Sequence, residues 1–157
     1  MKEKRLFNNW NRALLVSLQL PKSSRSEAQN SLNELSSLAF SLGGNVAEKI
    51  IQVSSQIHPA SFFGKGKLAD IRSAMEKYSL DALLVDNKLS PKQIGNLETI
   101  LNCTVLDRTQ LILEIFAKNA RTHEAKLQIE LAQSEYLFTR LVGLWKHLDR
   151  ERGGIGA

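Results

Sequence analysis

Ala82-Leu-Leu-Val-Asp-Asn-Lys-Leu-Ser-Pro-Lys-Gln-Ile-Gly-Asn-Leu-Glu-Thr-Ile-Leu-Asn-Cys-Thr-Val-Leu-Asp107 is the stretch that decides the fold. Ala82–Val85 is continuously apolar, too short for a helix, and closed by Asp86, which reads as a strand buried on both faces. Ser90-Pro91 is a helix start: a hydroxyl cap followed by proline at the first helical position, where its missing N–H costs nothing. Ile94, Leu97 and Leu101 then recur on one helical face, and Cys103–Leu106 is a second apolar strand ending at Asp107. A strand, a helix and a strand in such short succession form a parallel pair with a right-handed crossover.

The same alternation extends toward the N-terminus. Residues 13–20 predict a buried strand ended by Pro21. Ser26 is positioned to cap a helix that carries Ala28, Leu32, Leu35, Ala39 and Leu42 inward, and Gly43-Gly44 supplies its left-handed stop. A strand follows within 45–54, with Ile50, Ile51 and Val53 as its apolar content. After a loop at 56–63, Gly64-Lys-Gly-Lys67 opens a helix with Leu68, Ile71, Met75 and Tyr78 on its inner face. The expected fold is α/β: a four-stranded, mostly parallel sheet flanked by helices over residues 12–108, after a basic lead-in at 1–11.

Residues 109–157 differ in kind. A helix-forming run extends from Asp107 to about Phe138, passes on through Arg140–Arg150, and stops in the glycine-rich stretch beginning at Gly153. Thirty helical residues span roughly 45 Å, more than the sheet can cover. The expectation is one long protruding helix, half of a helical hairpin, with a glycine-rich tip loop. Ala125, Ile129, Ala132 and Tyr136 make one narrow stripe and Leu127, Leu131 and Phe138 another, a pattern that calls for a partner helix and otherwise invites self-association.

Composition narrows the function. At 157 residues, 43% hydrophobic and 24% charged, the chain is of ordinary globular make-up, and no apolar run reaches the roughly 20 residues that cross a bilayer. No secretory leader is evident, and the lone Cys103 excludes an internal disulfide, so a cytoplasmic location is expected. Within residues 1–25, Lys2, Lys4, Arg5, Arg12, Lys22 and Arg25 face only Glu3, which accounts for the whole formal charge of +5.

Two constellations carry possible chemistry. Gly64, Lys65, Gly66 and Lys67 open a helix near the carboxyl end of a strand, with Asp86 at the end of another. They suit either a nucleotide phosphate or plain capping and solvation. At the far end Arg140, Trp145, Lys146, His147, Arg150 and Arg152 combine positive charge with a stackable ring, while Gly153, Gly154 and Gly156 admit close backbone approach. That set suits structured RNA, or else a tryptophan packed on its own helix before a loose end. No GxxxxGK[ST] loop occurs, and Asn87-Lys88-Leu89-Ser90 places serine where a guanine-reading motif needs aspartate. His58, His123 and His147 lie far apart in sequence and Cys103 has no second cysteine, so no metal or catalytic set is expected.

Several long segments, taken together, resemble the N-terminal region of the HflX-type ribosome-associated GTPases: Pro59–Leu68, Asp86–Glu98, Asp107–Ala117, Ala120–Gln133 and Arg150–Gly156. The resemblance implies an α/β subdomain, a two-helix hairpin and then a G domain that binds GTP and Mg. It implies binding to rRNA of the large ribosomal subunit, with the hairpin tip at the peptidyl transferase centre, and a role in splitting or rescuing stalled ribosomes. Arg140, Trp145, His147, Arg150, Gly153, Gly154 and Gly156 are the tip residues it carries over. It also points to an ATP site, for which Gly64–Lys67 with Asp86 is the first place to look. His123 stands where the family usually has Arg, and Ser134 where it has Leu. The return helix and G domain are expected to be missing after Ala157, so no GTP hydrolysis and no cofactor are expected of these residues alone, and a separately encoded G domain is a further possible partner.

Overall fold

The computed structural model describes residues 10–153, with side chains described for 10–139, Leu141 and Val142. Strands β1 (Arg12–Gln19), β2 (Asn45–Val53), β3 (Ala82–Val85) and β4 (Thr104–Asp107) alternate with helices α1 (Arg25–Ser41), α2 (Lys65–Lys77) and α3 (Pro91–Leu101). Helices α4 (Arg108–Asn119) and α5 (His123–Gly153) follow. The sheet is parallel throughout, in the order β2-β1-β3-β4. Alternation along each strand sends Leu14, Val16, Leu83, Val85 and Val105 into one core with Ile71 and Met75 of α2 and Ile94 and Leu97 of α3. Ala13, Leu15, Leu84 and Leu106 face the other way, onto Leu32, Leu35 and Ala39 of α1 and Leu111 of α4.

Local chemistry fixes the helix ends. Helix α1 is capped by Ser24 rather than Ser26. The Ser24 hydroxyl accepts from the Glu27 amide, and the Glu27 carboxylate accepts from the Ser24 amide. Both serines have a suitable residue three positions on, and the charged carboxylate of Glu27 makes the stronger bond than the Gln29 amide would. Gly43, at φ +82°, ends the helix as expected.

The expected single helix from Asp107 is two helices. Ala120 is extended at ψ 128°, its amide closing α4 on Phe116, and Thr122 caps α5 by accepting from the Ala125 amide at 3.1 Å. A capping threonine inside a helix-forming composition is easily passed over, because its hydroxyl competes for backbone only once the chain bends. The break lets α5 turn and pack along α3 and α4. The stripe Ala125, Ile129, Ala132 and Tyr136 is accordingly half-buried, so its partner lies within this chain. The second stripe remains open: Leu127, Leu131, Phe138 and Leu141 are 50%, 60%, 68% and 62% exposed. The helix continues to Gly153, so Arg140–Arg152 lie on helical backbone.

Trp10, within the expected basic lead-in, is 7% exposed and closes the α1-side core. The carboxylate of Asp81 fastens the chain just beyond it, accepting from the amides of Asn11 and Arg12 at 2.9–3.1 Å. The Trp10 ring fills the space over Gly44, where a Cβ would sit 2.0 Å from Cη2. Gly44→Ala should therefore lower stability by about 2–3 kcal/mol, the cost of overpacking a rigid ring, read as a shift in the urea midpoint at unchanged slope.

Candidate nucleic-acid interface

Parallel strands joined by helices place the N-termini of α1, α2, α3 and α4 at the carboxyl edge of the sheet. Three are closed by their own side chains through capping boxes: Ser24 with Glu27, Ser90 with Gln93, and Asp107 with Gln110. Helix α2 starts at Gly64, which has no side chain to cap it. Its positive end is flanked by exposed Lys65, and exposed Lys22, Arg25, Lys88 and Lys92 border the other helix starts, making this edge a basic rim.

The loop that delivers α2 is braced. His58 and Phe62 exchange backbone hydrogen bonds at 2.9–3.0 Å, Ser61 Oγ donates to the Phe63 carbonyl, and Phe62 and Phe63 are buried edge to face at 5.0 Å. From α3, Gln93 donates to the His58 carbonyl and Asn96 to that of Ala60. Phe62 is held at φ 63°, a left-handed conformation that a bulky residue keeps only when its surroundings enforce it. A Cβ added at Gly64 or Gly66 would meet nothing within 4 Å, and neither has a positive φ, so packing within the domain does not require glycine there.

The residues grouped as a possible nucleotide site are largely engaged with one another's elements. The Asp86 carboxylate receives both Nε and Nη2 of Arg108 at 2.8 Å. The same guanidinium reaches the Ser31 carbonyl and hydroxyl, and Glu34 at 3.5 Å, so the pair ties β3 and α4 to α1. Lys67 Nζ donates to the Val53 carbonyl. Between β1 and β3, where the strand order reverses and such sheets take their ligands, Asn87 occupies the crevice. Its Oδ1 accepts from the Leu18 amide at 2.8 Å and its Nδ2 donates to the Leu18 carbonyl at 3.2 Å, continuing the β1 ladder. Gly64, Lys65 and Gly66 remain exposed.

Asp107, 2% exposed, joins the loop before α3 to the first turn of α4. Its oxygens accept from the amides of Gln110 at 3.0 Å and Leu89 at 3.2 Å. Burial raises its carboxyl above the usual range, opposed by those amides, by Tyr136 and by Lys88. Burial first, and then Glu98, push the half-buried Cys103 thiol up to about 12, which leaves it un-ionised and unreactive. Among the described residues no group of His, Cys, Asp and Glu is arranged to hold a metal, and no helix is long and apolar enough to cross a membrane.

Helix α5 follows α4 and packs along α3 and α4, with Tyr136 against the core that holds Leu18 and Leu89. Its backbone continues for about 25 Å beyond Tyr136, to Gly153. That stretch carries Arg140, Trp145, Lys146, His147, Arg150, Arg152 and Gly153. The side chains of these residues lie outside the described residues, as do Gly154 and Gly156. Sequence reading did not find the Asn87–Leu18 bonds or the Asp86–Arg108 pair, because each joins residues far apart in the chain and leaves no local pattern.

Two measurements test these assignments. Arg108→Met removes the partner of a carboxylate whose side chain is 7% exposed. It should cost about 3 kcal/mol of unfolding free energy, and a neutral result would remove Asp86 from the structural frame. For Asp107 the folded carboxyl binds its proton more tightly than the unfolded one, so the ionised form is penalised in the fold. The stability of the native chain relative to Asp107→Asn should decline as pH rises from about 4, and an advantage that grows with pH would overturn the assignment.

Residues 29–117 match the family described as GTP-binding GTPase N-terminal, and residues 119–157 the GTP-binding GTPase middle region. A GTPase HflX of Escherichia coli strain K12 is 48% identical over 125 residues, covering 80% of this chain and 29% of that protein. A GTPase HflX of Flavobacterium psychrophilum is 38% identical over 148 residues, covering 94% and 36%. The chain thus spans about a third of the length of these relatives. A GTP-binding protein from the hyperthermophilic archaeon Sulfolobus solfataricus, solved in complex with GDP, shares the fold at TM-score 0.64 and 24% identity over 90% of this chain and 42% of that one. With family, relatives and fold in agreement, this chain belongs to the HflX family of GTPases and covers its N-terminal region.

Proposed function

We propose that this chain is the ribosome-contacting module of an HflX GTPase, binding rRNA of the large subunit through the projecting part of α5 and the basic rim beside it. The observation that carries the reading is the course of α5. The helix continues past Tyr136 to Gly153, and by sequence that stretch carries Arg140, Arg150 and Arg152 with one tryptophan, Trp145. Cationic side chains gain affinity for RNA by releasing counterions, and an indole gains it by stacking on unpaired bases. The uncapped start of α2 with Lys65 offers a second phosphate contact on the same side.

On this reading the module docks and the GTP chemistry belongs to other parts of the longer protein, in the service of splitting or rescuing stalled ribosomes. The open stripe Leu127, Leu131, Phe138 and Leu141 would take the returning helix of a hairpin. An ATP site at Gly64–Lys67 with Asp86 has less support, since Lys67 and Asp86 are already bonded within the fold.

The test is co-sedimentation with purified large ribosomal subunits across a salt series. Binding is expected at low salt. Arg150→Ala with Arg152→Ala should weaken it several-fold and reduce the salt slope by roughly one to two phosphate contacts. Absence of co-sedimentation by the native chain at low salt would refute the reading.

A further inference from the structure

Strand β2 stands at one end of the described sheet, so only one of its two edges has a neighbouring strand. The Ser54 amide donates to the Gln19 carbonyl, and the register of β2 on β1 runs unbroken from Glu48 to Val53. Counting back by twos, Gln52, Ile50 and Glu48 turn their backbone groups to β1, and Lys49, Ile51 and Val53 turn theirs outward. The outward carbonyl of Val53 is taken by Lys67 Nζ. The amides and carbonyls of Lys49 and Ile51 have no partner among the described residues and stand ready for a further strand. Two large apolar side chains flank this edge on the α1 side. Val53, 61% exposed, shares a strand face with Ile51, which packs on the α1-side core. Phe40 is 79% exposed and lies about two helical turns beyond Asn33, on the same helix face. Asn33 Oδ1 accepts from Lys49 Nζ at 3.2 Å, which sets Phe40 level with the start of β2.

A second copy of this chain fits the edge in one register. An antiparallel, two-fold pair of β2 strands can centre on Lys49, Ile50 or Ile51. Centred on Lys49, it sets one ammonium opposite its twin, which is unfavourable. Centred on Ile51, it needs the Val53 carbonyl that Lys67 already occupies. Centred on Ile50, it bonds Lys49 to the partner's Ile51 and Ile51 to the partner's Lys49, using the unpartnered backbone groups and no others. The same register sets Glu48 opposite the partner's Gln52, and Phe40 level with the partner's Val53 at both ends of the pair. We propose that β2 is a homodimer edge, joining two copies of this chain antiparallel about Ile50 into one eight-stranded sheet. A contact of this extent falls below the roughly 1,200 Å² of stable interfaces, so the dimer is weak and forms with rising concentration. The proposal is independent of the RNA reading, since β2 takes no part in it.

Sedimentation velocity of the full chain from about 1 to about 500 μM should show a reversible monomer–dimer equilibrium. Phe40→Ser changes an exposed side chain and leaves the ladder intact. It should raise the dimer dissociation constant about tenfold or more, because the ring is lost twice in a two-fold pair. Lys49→Pro removes an outward amide that β1 does not use, and should abolish the dimer. Leu131→Ser, on the open stripe of α5, should leave it unchanged. In a Cys103→Ser background, Ile50→Cys sets two thiols on strands about 4.5 Å apart and should cross-link the dimer on oxidation. Lys49→Cys, with its twin on the diagonal about 7–8 Å away, should cross-link far more slowly. A chain that stays monomeric over the whole range would overturn the proposal. So would a dimer whose dissociation constant Phe40→Ser leaves unchanged, or one that Leu131→Ser abolishes. Faster cross-linking by Lys49→Cys than by Ile50→Cys would refute the register.

Discussion

The carboxylate of Asp107 is buried at the end of β4, and the arrangement of the domain's carboxyl edge depends on it. Taking a charge out of water is tolerable only when hydrogen bonds replace the lost solvation. Here the amides of Gln110 and Leu89 do so. One donor lies in the first turn of α4 and the other in the loop leading into α3. Satisfying one acceptor thus fixes the relative placement of these two segments. Burial still raises the carboxyl above the usual range, so this compensation is incomplete.

Around this point the domain is braced by polar bonds of long sequence separation. The Asp86–Arg108 pair joins β3 and α4 to α1, Asn87 ties the end of β3 to β1, and Asp81 fastens the start of β1. The apolar core specifies the layers, since any amphipathic helix can cover a sheet face. It does not specify how the carboxyl ends are trimmed. Directional bonds between named groups do that, and they leave an edge from which Lys22, Arg25, Lys65, Lys88 and Lys92 reach solvent.

This division explains what the chain discloses before folding. The boundaries of β3 and α3 are legible because continuous apolar runs, Ser90 and Pro91 are local signals whose meaning does not depend on the rest of the molecule. The parallel sheet follows from their alternation. The break at residues 120–122 was hidden, because Thr122 caps only in a bent chain and its neighbours are good helix formers. Trp10 looked like part of a charged lead-in because its slot is made by Gly44, far off in sequence. The candidate site was legible only as composition. Asp86 and Lys67 had the right residue types for a phosphate site, and only the fold shows that Arg108 and the Val53 carbonyl already occupy them.

The features that stability alone does not explain fall together. Glycine at 64 and 66 answers no φ requirement and no crowding, and at the start of α2 a capping side chain would help by roughly 0.3 kcal/mol. Leu127, Leu131, Phe138 and Leu141 hold apolar surface in water. Helix α5 continues well past Tyr136, to Gly153. A sequence shaped only to fold this domain would cap α2, place polar residues on the open stripe, and end the helix near Tyr136. The first departure leaves the start of α2 without a side-chain cap and the second leaves an apolar seam on α5; on the reading proposed above, each answers to a partner rather than to the fold.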